Sequence, residues 1–260
     1  MSRMINSLAL ITALLCTLFS QSVTAEKLTY LIIAEQAEPF QINSVTDHVQ
    51  SGTITDIVKF IAQKKSLEID HQIMPFKRYL YEIKQQSYPN WISYGSPTWR
   101  AADDHMAQSK RLSKQVLFSA EHIMVSLKSQ HDSPLNINDV VDKTVILLKG
   151  FDYPGLTPII QQNAMNTLEL NSHKSALLAL KNGRGDLFIE MKSRVLYSIR
   201  QHQIDASTFN FTDIPDAIAP VDIHLSYGDA VPQELIDSID LQILQMKANG
   251  EIARIISHYQ

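Results

Sequence analysis

Thr144-Val-Ile-Leu-Leu148, running into Lys149-Gly-Phe-Asp-Tyr153 and then Pro154, decides the reading of this chain. It is an apolar run of strand length that breaks into a loop just before a helix. The strand Thr167-Leu-Glu-Leu170 follows, then a helix starting near Ser172 and stopping at Lys181-Asn182-Gly183, where a left-handed C-cap is favoured. Asp186-Leu-Phe-Ile-Glu190 is a third strand. Strand, helix, strand, helix, strand is the rhythm of a parallel sheet with right-handed crossovers.

The same rhythm is written once before. Leu28-Thr-Tyr-Leu-Ile-Ile-Ala34 is the first strand, and Ile54, Ile57, Val58 and Ile61 mark one apolar helix stripe. Thr53 and Asp56 stand at capping-box spacing and predict the helix start. Glu68-Ile-Asp-His-Gln-Ile-Met74 is a second strand, Phe76, Tyr79, Leu80 and Ile83 mark a second helix, and Trp91-Ile-Ser-Tyr94 closes the unit. Two such units predict two lobes with a cleft between them. His122–Leu127 reads as a strand leaving the first unit and Val221–Tyr227 as one returning, so the lobes are expected to share a two-strand hinge. A helical tail from Pro232 to Tyr259 is expected to pack back on the first lobe. The predicted division is 1–25 as a leader, 26–123 with 226–260 as lobe 1, and 124–225 as lobe 2.

Residues 1–25 read as a cleavable secretion signal. Arg3 precedes the apolar run Leu8–Phe19, and Val23-Thr24-Ala25 puts short side chains at a cleavage site. The run is shorter than the roughly 17–25 residues of a membrane span. The predicted compartment is therefore the periplasm. The single cysteine, Cys16, lies inside this signal, which excludes a disulfide framework in the mature chain. About 235 residues remain, and with 45% apolar residues overall they are enough to build a core without staples. Removing Arg3, the only charged residue of the signal, takes the net charge from −4 to −5. A mildly acidic chain argues against a nucleic-acid partner.

In open parallel sheets, ligands bind beyond the carboxyl ends of the strands. That rule selects 35–40, 75–78 and 95–100 from the first unit, and 149–153, 171–172 and 190–192 from the second. The resulting candidates are Phe40, Arg78, Ser96, Trp99, Arg100, Phe151, Asp152, Tyr153 and Glu190. Aromatic walls with a few charges of both signs suit a small polar metabolite. Several candidates also have an ordinary structural reading. Arg78 fits a solvated first-turn position, Arg100 fits a surface pair with Asp103 or Asp104, and Glu190 fits a pair with Lys192 or Arg194. The stretch 150–153 precedes a helix, whose free N–H groups can hold a carboxylate or simply form a turn.

Catalytic and metal motifs are absent from the sequence. The nine histidines are scattered, with no HxH or HExxH spacing, and neither GxSxG nor GxGxxG occurs. No cofactor, no metal and no catalytic residue is expected.

Several stretches resemble the bacterial extracellular solute-binding proteins of family 3, the periplasmic amino-acid-binding group. They are Gly52-Thr-Ile-Thr-Asp-Ile57, Pro75-Phe-Lys-Arg78, Val116-Leu-Phe-Ser119, Asp142 to Leu156, Leu177 to Glu190, and Ala248 to Tyr259. The resemblance spans nearly the whole mature chain. It implies an α/β type II periplasmic binding fold: two lobes, each a mostly parallel sheet flanked by helices, joined by a two-strand hinge. It also implies a monomer that captures an amino acid or related solute for an ABC permease, closing by hinge motion. A ligand-sensing module for a membrane signalling partner is the alternative. A periplasmic dehydratase-like enzyme using Glu190 is a more remote one. The sequence departs from the family pattern at Ser96-Pro-Thr98-Trp-Arg100, where the carboxylate-gripping arginine comes one position early. Arg100 and Arg111 both remain candidates for that role.

Overall fold

A computed structural model describes residues 27–43, 50–99, 111–130, 137, 141–151, 153, 155–163 and 165–259. In chain order its elements begin with β1 (Lys27–Ile33), β2 (Ile42–Asn43), β3 (Gln50–Ser51), α1 (Thr53–Lys65), β4 (Glu68–Met74), α2 (Phe76–Lys84) and β5 (Trp91–Gly95). Next come β6 (Leu112–Ala120), β7 (His122–Leu127), β8 (Thr144–Leu148), α3 (Leu156–Gln162), β9 (Asn166–Leu170) and α4 (His173–Lys181). The chain continues with β10 (Leu187–Met191), α5 (Lys192–Gln201), β11 (Phe209–Asp213), β12 (Val221–Tyr227), α6 (Gln233–Ala248) and α7 (Glu251–Tyr259).

The two copies build two sheets with one plan. The first sheet has the order β4-β1-β5-β12-β6 and the second, read from the equivalent edge, β9-β8-β10-β7-β11. In each, the first three strands are parallel, with the first strand of the copy between the second and third. The fourth is antiparallel to both of its neighbours. That fourth strand is the one delivered from the other lobe, β12 or β7. Strand order reverses beside β1 and β8, which opens a crevice at their carboxyl ends in both lobes.

The crossings fall just outside the segments the sequence suggested. β7 belongs to the second sheet from His122 onward, so the outward crossing is the single residue Glu121 between β6 and β7. The return passes over residues 214–220, and β12 joins the first sheet at Val221, opposite Ala120. Ser119 donates to Asp222 at 2.5 Å, tying the two hinge segments together.

Helix α1 starts at Thr53, but not by the expected capping box. Gly52 is the N-cap, with φ 116° and no side-chain cap bond. A Cβ there would lie 2.6 Å from the Phe40 carbonyl oxygen, so the close turn requires glycine. Tyr259 supplies the missing partner: its hydroxyl accepts from the Gly52 N–H at 2.9 Å and donates to Asp56 at 2.5 Å. The C-terminal helix thus packs on the first lobe and finishes the cap of its first helix. In the second lobe, Ser172 and Ser175 form a complete capping box for α4, and Gly183 follows its end at φ 67°.

One apolar core lies around the first sheet, and two lie on opposite faces of the second. β7 shows why: Ile123, Val125 and Leu127 join one cluster and Met124 the other, the period-2 alternation of a strand covered on both sides.

Candidate functional site

The strand ends of both lobes converge on one narrow cavity of about 30 Å³. The first lobe supplies Ile33 from the end of β1, Phe76 and Tyr79 from α2, Tyr94 from β5, and Trp99 from the short turn after it. The second supplies His122, Phe151, Tyr153, Glu190, Met191 and Arg194.

Arg194 stands at the centre. Its side chain is 1% exposed, and its guanidinium carbon lies 4.9 Å from the Phe40 ring centre and 5.1 Å from that of Phe151. One ring belongs to each lobe, so the cation makes ring contacts from both sides of the hinge. Its Nη2 donates to the Tyr94 hydroxyl at 3.3 Å. Its Nη1 is 3.6 Å from Glu190. Nε and Nη1 have no hydrogen-bond acceptor among the described residues.

Glu190 is as deeply buried as Arg194 and is held on several sides. One oxygen accepts from the Met191 N–H at 2.7 Å, the other from the Tyr153 hydroxyl at 3.1 Å. Burial raises its pKa, while Arg194, the Met191 N–H and the Tyr153 hydroxyl oppose the rise. Tyr153 also accepts from the Leu148 N–H at 3.0 Å, and burial raises its pKa well above the usual phenol value, helped by Glu190. Two of the scattered histidines come to this cluster. His173 is 3.7 Å from Glu190, and burial first, then Arg194, lowers its pKa to about 3. The same two causes lower that of His122 to about 4. Both rings are therefore neutral at ordinary pH, so His173 and Glu190 form no ion pair there. Glu190 and Arg194 are the cluster's close acid–base pair, 3.6 Å apart.

The sequence candidates separate clearly. Phe40, Trp99, Phe151, Tyr153 and Glu190 meet at the cavity or directly behind it. Ser96 is buried one step back, its hydroxyl 2.9 Å from that of Thr98. Arg78 points outward and pairs with Glu82 at 3.1 Å. Arg111 donates to the carbonyls of Gly228 and Asp229 at 2.8 and 3.1 Å, at the far end of β12. Arg100 and Asp152 lie outside the described residues, as does the signal at 1–25. Of the alternatives for Glu190, the Arg194 pair forms, while Lys192 reaches Asp213 at 2.9 Å. Sequence reasoning placed Phe76 in the selected stretch 75–78 but did not place Arg194, Tyr94 or His122 at the centre. The available signal was Glu190-x-x-x-Arg194, an i,i+4 acid–base pair straddling a strand end and a helix start.

Protein groups bridge the lobes on either side of this cluster. Gln36 donates to the Asn171 carbonyl at 3.0 Å, and Arg200 to that of Tyr259 at 2.9 Å. Phe76 stacks on Phe151 with ring centres 4.9 Å apart. A wider groove of about 450 Å³ lies behind Phe40, between Phe118, Lys192, Leu196 and Tyr259. Its cation, Lys192, is already paired with Asp213. Among the described residues no cluster of His, Cys, Asp and Glu is arranged to hold a metal ion, and no helix is long and apolar enough to cross a membrane.

This is the two-lobed type II periplasmic binding fold. Neither a family model nor a curated protein matches the chain, but many solved structures share its architecture. The amino acid ABC transporter substrate-binding protein AbpA from Streptococcus pneumoniae, solved bound to L-arginine, superposes with a TM-score of 0.69 at 20% identity, covering 90% of this chain and 94% of its own. A mutant of ArgBP from T. maritima gives 0.68 at 17% identity, over 90% and 94%. The periplasmic VFT2 domain of Bordetella pertussis BvgS gives 0.66 at 16% identity, over 91% and 93%.

Proposed function

We propose that this chain is a periplasmic solute-binding protein that takes a small polar metabolite, an amino acid or a related acid, into the cleft between its lobes and presents it to an ABC permease. One observation carries the reading: a cavity walled by both lobes, with a buried Glu190–Arg194 pair and an aromatic sandwich at its centre. Polar groups converging in an aromatic-lined cleft at a topological switch point suit ligand capture. Structural likeness to amino-acid-binding proteins such as AbpA supports it. Native mass spectrometry of the protein recovered from its own cell envelope tests the reading. A co-purified small molecule, lost on denaturation, is expected. Recovery with no bound solute, together with no thermal shift across amino acids, organic acids and short peptides, would overturn it.

A second reading, a ligand-sensing module for a membrane signalling partner, draws on a different observation. The bonds Gln36–Asn171, Arg200–Tyr259 and Arg194–Tyr94 link the two lobes directly. Lobes tied by their own side chains suit a module that passes a ligand signal through the hinge, and structural likeness to the periplasmic VFT2 domain of BvgS supports the reading. Small-angle scattering separates the two readings. A transport-type binder contracts on adding its solute, whereas the sensing reading requires a compact form before any solute is added.

A further inference from the structure

The walls of the cleft narrow the kind of solute it can take. The Phe40 and Phe151 ring centres lie 4.9 and 5.1 Å from the Arg194 guanidinium carbon, so its N–H donors are the groups left to bind a solute. One reaches Tyr94, while among the described residues Nε and Nη1 have no hydrogen-bond acceptor although the side chain is 1% exposed. A buried guanidinium with idle donors is costly to keep. Glu190 attracts it, but from 3.6 Å, beyond hydrogen-bond length. Beside these donors the cavity is walled by Ile33, Phe76, Tyr79, Trp99 and Met191, with about 30 Å³ free, room for roughly two waters or a carboxylate head.

We propose that the solute is a small monocarboxylate with a short apolar or aromatic body and no ammonium group, anchored through its carboxylate to the idle Arg194 donors. This rests on the solute-binding reading above and narrows it. An external arginine or lysine head is excluded, since Arg194 itself fills the space between the two rings. The ammonium of an amino acid is disfavoured: Glu190, the one carboxylate lining the cavity among the described residues, already faces Arg194 and accepts from the Met191 N–H and the Tyr153 hydroxyl. A dianion is disfavoured by the second negative charge it would leave beside Glu190. Even a monoanion adds one negative charge here. The titratable and charged groups facing Glu190 are Arg194, Tyr153 and the neutral His173, with Tyr94 and His122 around Arg194. Glu190 is the group best placed to take up a compensating proton, so binding is expected to tighten as pH falls from 8 towards 5.

Isothermal titration of the full protein with propionate, benzoate, propionamide and L-alanine tests this, alongside Arg194→Gln and, as a control outside the cleft, Arg78→Ala. A carboxylate is expected to bind, with the amide weaker by about 10- to 100-fold and L-alanine weaker than propionate. Arg194→Gln should lose about as much as the amide does, and Arg78→Ala should lose nothing. Tighter binding of L-alanine than of propionate would overturn the ligand class while leaving a solute-binding cleft. So would no carboxylate binding when native mass spectrometry finds another solute. Carboxylate binding unchanged in Arg194→Gln would overturn the anchor. No binding and no co-purified solute would overturn both readings together. If Arg194→Gln does not fold, the Arg194 Nε–H resonance of the wild-type protein decides. It should shift with propionate and not with propionamide, and an unmoved signal would overturn the proposal.

Discussion

The two lobes have one topology and opposite chemistry. Each places its first strand between its second and third and adds an antiparallel strand borrowed from the other side of the hinge. At the strand ends the likeness stops. The first lobe brings Phe40, Phe76, Tyr79, Tyr94 and Trp99 to the cleft, while its described arginines, Arg78, Arg111 and Arg254, are engaged elsewhere. The second brings the charged and titratable cluster of Glu190, Arg194, His122, His173 and Tyr153. Duplicated backbone geometry therefore creates the crevice without deciding which side holds the charge. The lesson is that an arginine's place in the chain says little until its partners are known.

The largest expected effect tests that asymmetry directly. Arg194→Ala removes the partner of a buried carboxylate and empties the space between two rings. It should cost about 3–5 kcal/mol in chemical denaturation. Arg78→Ala, breaking an exposed i,i+4 pair, should cost no more than about 0.5 kcal/mol. Equal effects of the two would show that the second lobe does not carry the structural charge.

Tyr153→Phe is the next step down. It withdraws a donor from Glu190 and leaves the buried Leu148 N–H without its acceptor, a loss of about 1–3 kcal/mol. A thermal midpoint within error of wild type would mean that the hydroxyl is dispensable to the cluster.

The pH dependence of stability gives the gentlest slope. The pKa values of His122 and His173 fall to about 4 and about 3 in the folded protein, against about 6.5 unfolded. Between these values the unfolded chain binds more protons, so this contribution is complete above pH 6.5 and is lost as pH falls towards 4. Each proton is worth up to about 1.4 kcal/mol per pH unit. The raised pKa of Glu190 acts in the opposite sense above its unfolded value, because there the folded state holds the extra proton. The two rings should thus contribute fewer than two protons to the slope, rising as pH falls from 7 to 5, and urea titrations at pH 7, 6 and 5 measure it. His173→Gln should flatten it, while stability unchanged over that range would contradict neutral burial of the two rings.

Most of the architecture was legible in the chain. Strands such as Leu28–Ala34 and Thr144–Leu148 are buried on both faces and so read as continuous apolar runs. Helix ends at Ser172 and Gly183 announced themselves through local cap chemistry. Less of the site was legible. The strand-end rule selected Trp99, Phe151, Tyr153 and Glu190 because position alone places them there. It also selected Arg78, which follows a strand end but turns outward to Glu82. The α1 cap was misassigned to Thr53 and Asp56, since its partner, Tyr259, comes from the far end of the chain.

By itself the sequence determined where strands and helices fall, that they form two units of one pattern, and which loops end up at the crevice. These follow from periodicity and cap chemistry, which act over a few residues. Only the tertiary structure decided that Arg194 is the cation between the rings, that His122 and His173 gather at Glu190, and that the lobes are bridged by Gln36 and Arg200. Each of those facts depends on groups far apart in the chain, and on burial that turns an ordinary surface charge into one that must find its partner across the cleft.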